Sequence, residues 1–415
     1  MMDAMELLIS AGQILVGPSG ERVGESAVLV ADSTIAAAGP AAEVEPQASP
    51  AATRLSFPGG TVLPGLIDCH VHLAFDASPD PVPAVTGTDD GVLLLGMADR
   101  ARQLLDTGVT TVRDLGDRDR LALRLRDAIA ADLVPGPRIL AAGTPVTTPG
   151  GHCYFLGGEA AGEEAIRELV RGNADAGADL IKVMATGGGL TPSGPPIWQA
   201  QFSADELRVV VSEARRAGLP VAAHAHGTDG IAAAVAADVA TVEHCTWISE
   251  HGFDVREDVV AAIAARGIAV CPAVSPNWRR FAQWVGPERA EVMFARVGWM
   301  NRQGVRLIAG TDAGAQRAGF DGLVASLKFF EHVGISRGRV IEMATAGAAE
   351  ALGIGTDTGR LAPGFRADLL VVDGDPLEDL DALRHAWLVL AGGKPHIPAA
   401  AAINALTARF APEAA

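Results

Sequence analysis

The sequence predicts an α/β protein in which a (β/α)8 TIM-type barrel carries a small β-sandwich domain built from both chain ends. Three observations predict this architecture: short alternating apolar runs near the N-terminus, similar runs near the C-terminus, and a long central stretch where apolar runs alternate with helical patterns. We expect the small domain over residues 1–60 and 357–415, and the barrel over residues 61–356.

The predicted small domain takes strands from both ends of the chain. At the N-terminal end the candidate strands are Glu6–Ser10, Gln13–Val16, Ala27–Ala31 and Thr34–Ala38. At the C-terminal end they are Leu369–Val372 and Ala386–Leu390. Turns rich in Gly, Pro and Asp separate these runs. We expect the two sets of strands to pair in one domain.

The central stretch contains eight candidate strands. They are Val62–Ile67, Thr110–Arg113, Arg138–Ala142, Leu180–Met184, Val221–Ala223, Thr241–Glu243, Ala269–Pro272 and Leu307–Ala309. Helical patterns lie between most of them, including Leu93–Asp106, Glu163–Ala176, Ala204–Ala217 and Glu257–Arg266. Eight strand–helix units favour a barrel over the alternative, a doubly wound open sheet. In a barrel, catalytic side chains belong at the C-terminal ends of the strands.

Composition argues against several classes of function. The 415 residues carry 33 Lys and Arg against 50 Asp and Glu, a formal net charge of −17. Binding nucleic acid or an anionic membrane needs a basic face, so we expect neither partner. No apolar run reaches the ~18 residues of a transmembrane helix. The four cysteines are widely spaced without a CxxC pair, which favours reduced thiols and a cytoplasmic enzyme.

Histidine residues concentrate at the ends of the predicted strands. Six of the ten follow such a strand: His70, His72, His152, His224, His226 and His244. Two histidines at i, i+2 on a strand face the same side, so the His-x-His pairs that begin at His70 and His224 could each present imidazoles to a metal ion. Asp312 follows the eighth strand. We expect a metal centre here, although one such pair alone could equally be polar residues at a strand exit.

Lys182 lies inside an apolar strand of a chain that has only two other lysines, Lys328 and Lys394. A buried, unpaired ammonium group is costly. Two interpretations are open: a snorkelling or salt-bridged cation, or an amine whose pKa is lowered by burial and which reacts with CO2. The resulting carbamate has two oxygens and could bridge two divalent metal ions.

Together these motifs resemble the amidohydrolase superfamily, and within it the branch of Xaa-Pro dipeptidases, related carboxypeptidases, ochratoxin-type amidases and imidazolonepropionase-like proteins. The resemblance covers essentially the whole chain and is carried by PGLIDCHVHL, IKVMATGGG, HAHG, EHCTWI, GTDAG and GRLAPGFRADLLVVDGDPL. It implies two divalent ions, with zinc first and manganese or cobalt as alternatives. The implied ligands are His70, His72, Lys182 as a CO2-derived carbamate, His224, His244 and Asp312.

The resemblance also implies how these ligands divide. His70 and His72 would hold the more buried ion, and His224 and His244 the second. The carbamate on Lys182 would bridge the two. The adjacent cysteines should point away from the metals because neighbouring residues on a strand face opposite sides.

Three further roles concern the substrate. Asp312 would contact the first ion, accept the proton of the attacking water and return it to the leaving nitrogen. His152 and His226 would donate hydrogen bonds to the substrate carbonyl. The alternative for both histidines is a structural hydrogen bond behind the ligands.

We expect hydrolysis of an amide whose leaving group is an amino acid: a dipeptide, an Xaa-Pro peptide, an N-acyl amino acid or an ochratoxin-like amide. The alternatives are a hydrolase of cyclic amides, aryl amides, carbamates or ureas, and a catalytically silent binding protein on the same scaffold. We also expect a homo-oligomer with no organic cofactor.

Substrate selection should depend on the loops that follow the strands. The loop Leu190–Gln201 is a candidate lid, and four aromatic residues could line an apolar pocket: Tyr154, Trp198, Trp247 and Trp278. Candidate partners for a substrate carboxylate are Arg113, Arg279 and Arg317. Ordinary loop packing and structural ion pairs are the alternatives.

Overall fold

The computed structural model describes residues 6–17 and 21–401, which form one mixed sheet of seven strands and two largely parallel sheets, with helices between the strands. The strands of the seven-stranded sheet are β1 (Glu6–Leu15), β2 (Arg22–Ala31), β3 (Thr34–Pro40), β4 (Thr53–Pro64), β14 (Leu369–Asp373), β15 (Ala386–Ala391) and β16 (Lys394–His396). Their order in the sheet is β16-β15-β14-β4-β1-β2-β3.

The seven-stranded sheet joins the two ends of the chain, as the sequence predicts. Strand β4 lies between them: it runs parallel to β1 and antiparallel to β14. Alternate residues of β1 are buried on opposite sides, with Leu7 and Ile9 in one apolar cluster and Leu8 in another. Residues 1–5, 18–20 and 402–415 of the predicted small domain lie outside the described part of the chain.

The two parallel sheets contain the central strands. The first has β5 (Leu66–Val71), β6 (Val109–Asp114) and β7 (Arg138–Ala141). The second has β8 (Ile181–Met184), β9 (Val221–Gly227), β10 (Thr241–Ser249), β12 (Ala269–Cys271) and β13 (Arg306–Leu307), with β11 (Gly252–Phe253) antiparallel to β10. Parallel bridges join the sheets at both edges, between Val146 and Val183 and between Val71 and Ala313.

The first central strand starts later than the sequence predicts. The apolar run Val62–Ile67 is divided between two sheets, because β4 ends at Pro64 and β5 begins at Leu66. Gly65 marks the crossing, and a Cβ atom there would lie 2.1 Å from the hydroxyl oxygen of Thr110. The apolar run that the sequence predicts as one strand therefore forms parts of two strands, β4 and β5.

Helices separate most of the central strands. The α-helices of the described residues are α1 (Ala41–Val44), α2 (Val82–Gly87), α3 (Asp90–Asp106), α4 (Leu121–Ala130), α5 (Gly162–Asp175), α6 (Ala204–Arg216), α7 (Thr228–Ala236), α8 (Glu257–Arg266), α9 (Trp278–Val285), α10 (Pro287–Arg302), α11 (Leu323–His332), α12 (Arg337–Met343) and α13 (Ala346–Ala351). The four predicted helices are confirmed as α3, α5, α6 and α8. Ser203 fixes the start of α6, because it and Glu206 cap each other's backbone N–H groups.

The central strands and their helices share one continuous apolar core. All four cysteines are buried and free, as the sequence predicts: Cys69, Cys153, Cys245 and Cys271. Within the described residues, no helix combines the length and the apolar character that crossing a membrane requires.

Candidate active site

The predicted site residues converge at the C-terminal ends of the central strands. His70 lies on β5, Lys182 on β8, His224 and His226 on β9, and His244 on β10. The remaining three follow strands β5, β7 and β13: His72, His152 and Asp312. The six imidazole rings form a continuous cluster, in which ring centroids of neighbours lie 4.3 to 5.3 Å apart.

His70 and His72 both face Asp312. The Nε2 atoms of His70 and His72 lie 3.3 and 3.5 Å from Oδ1 of Asp312. His70 donates its Nδ1–H to the carboxylate of Glu243 at 2.9 Å, and His72 donates to the carbonyl of Gly116 at 3.3 Å. Each ring thus directs its Nε2 lone pair toward Asp312, the orientation that a metal-binding histidine requires.

Two groups of potential ligand atoms meet at His244. His70, His244 and Asp312 offer atoms within 4.8 Å of one another, and so do His224, His226 and His244. The second group includes His226, which the sequence places near the substrate. Because both groups include His244, the two candidate metal positions are adjacent.

Lys182 is the clearest sign that a group belongs between these side chains. It is 1% exposed, and its Nζ atom has no hydrogen-bond partner among the described residues. Burial lowers the pKa of Lys182 to about 8, which makes the neutral amine more accessible than in an exposed lysine. A lone amine beside imidazoles and a carboxylate fits a lysine that would help to hold divalent metal ions as a carbamate, and it argues against a salt-bridged lysine.

Burial keeps most of the histidines neutral, which is the protonation state that binds metals. Burial lowers the pKa of His72 and His226 to about 4 and that of His152 to about 3. It lowers the pKa of His224 and His244 well below the ordinary value. The donor set therefore suits divalent cations such as Zn²⁺.

Asp312 is an anion in this setting. Burial acts to raise its pKa, but the close contact with His70 and the charge of Lys182 outweigh burial and hold the pKa below the usual range. An ionised carboxylate can both bind a metal ion and accept a proton.

Glu243 is a site residue that sequence reasoning missed. It is fully buried between His70 and Arg113, accepting hydrogen bonds from His70 Nδ1, from Arg113 Nη2 at 2.8 Å, and from the Thr241 hydroxyl. Its position next to His244 in the sequence is the one feature that could have indicated a role in the site. Glu243 is ionised because Arg113 and His70 outweigh the burial that acts to raise its pKa.

Arg113 is therefore a structural cation, and its proposed role as the partner of a substrate carboxylate is wrong. It is 2% exposed, and besides Glu243 it donates to the Cys69 carbonyl at 2.7 Å and to the Thr241 hydroxyl at 2.9 Å. Its donors are occupied inside the protein, on the far side of His70 from Asp312.

The backbone is strained at two of the candidate ligands. His244 and Asp312 adopt φ angles of 66° and 59°, in the left-handed region that side chains other than glycine rarely occupy. Such residues cost of the order of 1–3 kcal/mol each and persist where the surroundings enforce them. Only glycine fits at position 188 without a shift of His152, since a Cβ atom there would lie 2.4 Å from Nε2 of His152.

The site opens into a cavity of about 180 Å³. Its walls include seven of the eight predicted site residues: His72, His152, Lys182, His224, His226, His244 and Asp312. His70 lies behind them at 1% exposure. Gly189 and Leu190 also line the cavity, so the beginning of the predicted lid loop reaches the site.

A second cavity of about 770 Å³ adjoins the first, and both are lined by His226, His244, Ser275 and Gln316. Its other walls come largely from α9 and α10 and are mostly apolar, including Trp278, Phe281 and Phe294. This size and polarity are typical of pockets for small organic ligands.

Of the four aromatic residues predicted to line an apolar pocket, one does so. Trp278 lines the large cavity. Trp247 does not line it, because it is fully buried in the core, where its Nε1–H points to the Met300 sulfur at 3.5 Å. Tyr154 and Trp198 line neither cavity, although Ile197 of the same loop lines the larger one.

The remaining arginine candidates differ in position. Arg317 lines the large cavity. Arg279 is exposed and stacks on Trp278, with its guanidinium carbon 4.1 Å from the ring centroid, and it lines neither cavity.

Comparison with known proteins agrees with this geometry. The family model described as the amidohydrolase family matches residues 61–403. Ochratoxinase from Aspergillus niger is 27% identical, with 94% of this chain and 87% of that protein aligned. Imidazolonepropionase from Salinispora arenicola is 26% identical over 92% of each chain.

Solved structures show the same relationship. A Xaa-Pro dipeptidase with methionine bound in its active site superposes with a TM-score of 0.82 at 27% identity, covering 94% of this chain and all of the other. The structure of A. niger ochratoxinase gives a TM-score of 0.81 at 26% identity, covering 95% and 96%. The chain therefore belongs to the amidohydrolase family and is a hydrolase of carbon–nitrogen bonds.

Proposed function

We propose that this enzyme is a binuclear metal-dependent amidohydrolase that releases an amino acid from a dipeptide, an Xaa-Pro peptide, an N-acyl amino acid or an ochratoxin-like amide. The observation that carries the proposal is the buried, unpartnered Nζ atom of Lys182 in a cavity also lined by His72, His224 and Asp312. The similarity to ochratoxinase and to a Xaa-Pro dipeptidase supports the choice of leaving group.

The proposed scaffold is a closed (β/α)8 barrel over residues 61–356. The bridges Val146–Val183 and Val71–Ala313 support closure, because they connect the two parallel sheets at both edges. For the composite domain, residues 1–60 and 357–415, the seven-stranded sheet supports the pairing of the chain ends, and buried clusters on both of its faces support a layered β-sandwich.

The proposed ligands are His70, His72, His224 and His244, together with Asp312 and the carbamate of Lys182. Zinc is the first choice for this donor set, with manganese or cobalt as alternatives. Bound divalent ions supply Lewis acidity, which polarises a carbonyl and acidifies water.

The chain's own groups position the amide and move the proton. Asp312, held as an anion beside His70 and His72, accepts a proton from the attacking water and delivers it to the leaving nitrogen. His152 and His226 line the same cavity as Asp312 and, in their neutral forms, can each donate one N–H to the carbonyl oxygen.

The proposal is tested by combining elemental analysis with a hydrolysis screen. Purified protein should carry up to two divalent ions per chain and should release amino acids from a library of dipeptides and N-acyl amino acids. Full activity with only trace metal would contradict the binuclear centre. Activity confined to cyclic amides, aryl amides, carbamates or ureas would favour that alternative substrate class. Cytoplasmic location and homo-oligomerisation stay predictions.

A further inference from the structure

The charged residues that line the large cavity have the opposite sign from the net charge of the chain. The protein as a whole has 50 acidic against 33 basic residues. Among the described residues that line this cavity, three are arginines, Arg280, Arg296 and Arg317, and none is acidic. A cationic, apolar pocket in an acidic protein indicates that its ligand carries a negative charge.

Arg296 differs from the other two arginines because it is partly buried and its Nη1 atom lacks a hydrogen-bond partner. Its Nη1 atom is shielded from solvent and has no hydrogen-bond partner among the described residues. No described carboxylate forms an ion pair with it, whereas Arg280 and Arg317 are exposed to water. A partly desolvated guanidinium is costly unless something pairs with it, and an anion would reach it through the part of the side chain that lines the cavity.

The helix holds Arg296 toward the cavity. Met293, Val297 and Met300 also line the cavity, and on α10 these positions share one helical face with Arg296. The guanidinium carbon lies 3.7 Å from the ring centroid of Phe253, which fixes the flat face of the guanidinium. The planar group is therefore oriented before a ligand arrives.

The same cavity supplies an apolar surface and reaches the candidate metal centre. Trp278, Phe281 and Phe294 line it, as do His226 and His244 of the site. A molecule seated here can place an amide beside the histidines, an apolar group against the aromatic rings and an anion on the guanidinium.

We propose that Arg296 determines substrate specificity by binding the carboxylate of the leaving amino acid, and that this amino acid has an apolar side chain. A guanidinium and a carboxylate form two parallel hydrogen bonds, which fixes orientation as well as charge. This inference rests on the proposed function, because it assigns one part of that amide substrate to the large cavity.

The test compares matched substrates on full-length, metal-loaded enzyme. N-acetyl-L-phenylalanine and its carboxamide differ only at the carboxylate, and acetate release reports hydrolysis of both. We expect the wild-type enzyme to favour the free acid by about ten- to a hundredfold in kcat/KM. Arg296→Met should reduce this preference to within about threefold, because kcat/KM for the free acid falls much more than kcat/KM for the carboxamide.

Two variants serve as controls. Arg280→Met removes an exposed guanidinium from the same cavity and should keep the preference. Arg296→Lys retains a charge without the planar fork and should keep an intermediate preference. An Arg296→Met enzyme that retains the full preference, or an Arg280→Met or Arg317→Met enzyme that loses it, would overturn the proposal.

Ligand binding separates this inference from the proposed function. Tryptophan fluorescence should follow binding of 3-phenylpropanoate and 3-phenylpropanamide, since Trp278 and Trp284 line the cavity. We expect Arg296→Met to weaken only the carboxylate, by about tenfold or more. Equal weakening of both probes would overturn the role of Arg296. Wild-type enzyme that binds the carboxylate through Arg296 but hydrolyses no amide would contradict the proposed function instead.

Discussion

The two adjoining cavities are built from different parts of the chain. The smaller one, of about 180 Å³, is lined by histidines, Lys182 and Asp312 at or just beyond the ends of buried strands. The larger one, of about 770 Å³, is lined mainly by apolar side chains, many of them from α9 and α10. The comparison shows that the candidate ligands come from the ends of buried strands, whereas peripheral helices shape much of the apolar surface beside them.

Replacing Lys182 should have the largest effect. Lys182→Met removes the proposed bridge, so we expect hydrolysis to fall to the assay background and metal content to fall with it, as measured by elemental analysis. Lys182→Arg should not restore activity, because a guanidinium stays protonated and cannot form a carbamate. Lys328→Met, which removes a lysine paired with Asp381, should keep both activity and metal. A fully active Lys182→Arg enzyme would show that Lys182 is only a structural cation.

Asp312→Asn should have the next largest effect. The amide keeps the size of the carboxylate but cannot accept the proton, so we expect kcat to fall by about 10²–10⁴-fold. Metal content should be largely retained. The control is Asp321→Asn, an exposed carboxylate a few residues along the chain. An unchanged kcat would remove Asp312 from the chemistry.

Glu243→Gln tests the support behind the small cavity. An amide still accepts from His70 but loses the charge that pairs with Arg113, so we expect metal affinity to fall by about 10–100-fold. Metal competition with a chromogenic chelator measures this change. Glu291→Gln is the matched control, because Glu291 also pairs with a histidine, His332, but at the surface. Equal metal affinities in the two variants would contradict the role of Glu243.

Trp284→Ser should have the smallest effect and should be limited to the large cavity. Trp284 is 82% exposed although it lines that cavity, so a bound apolar substrate would cover part of its ring. Removing about 40 Å² of contact costs about 1 kcal/mol, which raises KM about fivefold. We expect kcat and metal content to stay unchanged. Leu95→Ser, another exposed apolar residue, should change neither KM nor kcat, and a reduced kcat in Trp284→Ser would contradict the separation of the two cavities.

Elements with strong local signals could be predicted from the sequence. The helix Glu257–Arg266 has the predicted bounds, and His70, His72 and Asp312 meet as expected. Periodicity determines the helix locally, whereas His70 and Asp312 are more than 200 positions apart and meet because both lie at the ends of central strands. Val62 and Ile67 share one apolar run but fall in different sheets, and the close packing of Gly65 against Thr110 at the crossing is a tertiary contact that the apolar pattern does not reveal.

Hydrogen bonds between side chains that lie far apart in the sequence could not be predicted individually. Glu243 was overlooked because its partners, His70 and Arg113, lie more than a hundred positions away. Trp247 follows the predicted strand Thr241–Glu243, as a pocket residue would, but in the structure it lies within β10 and is buried in the core. Arg296 is an ordinary helical arginine in the sequence, and only the packing of α10 reveals that it has no partner.

The pairing of β4 with β14 has a consequence for how the chain folds. The residues that pair across these strands, such as Leu63 and Leu370, are about 300 positions apart. During synthesis, the hydrogen-bonding edge of β4 that faces β14 stays open until almost the whole chain has emerged, and open strand edges promote aggregation. Late closure of so long a loop also slows folding. The yield of folded protein at high expression temperature should therefore depend on whether β14 pairs with β4 before a strand of another chain pairs with it.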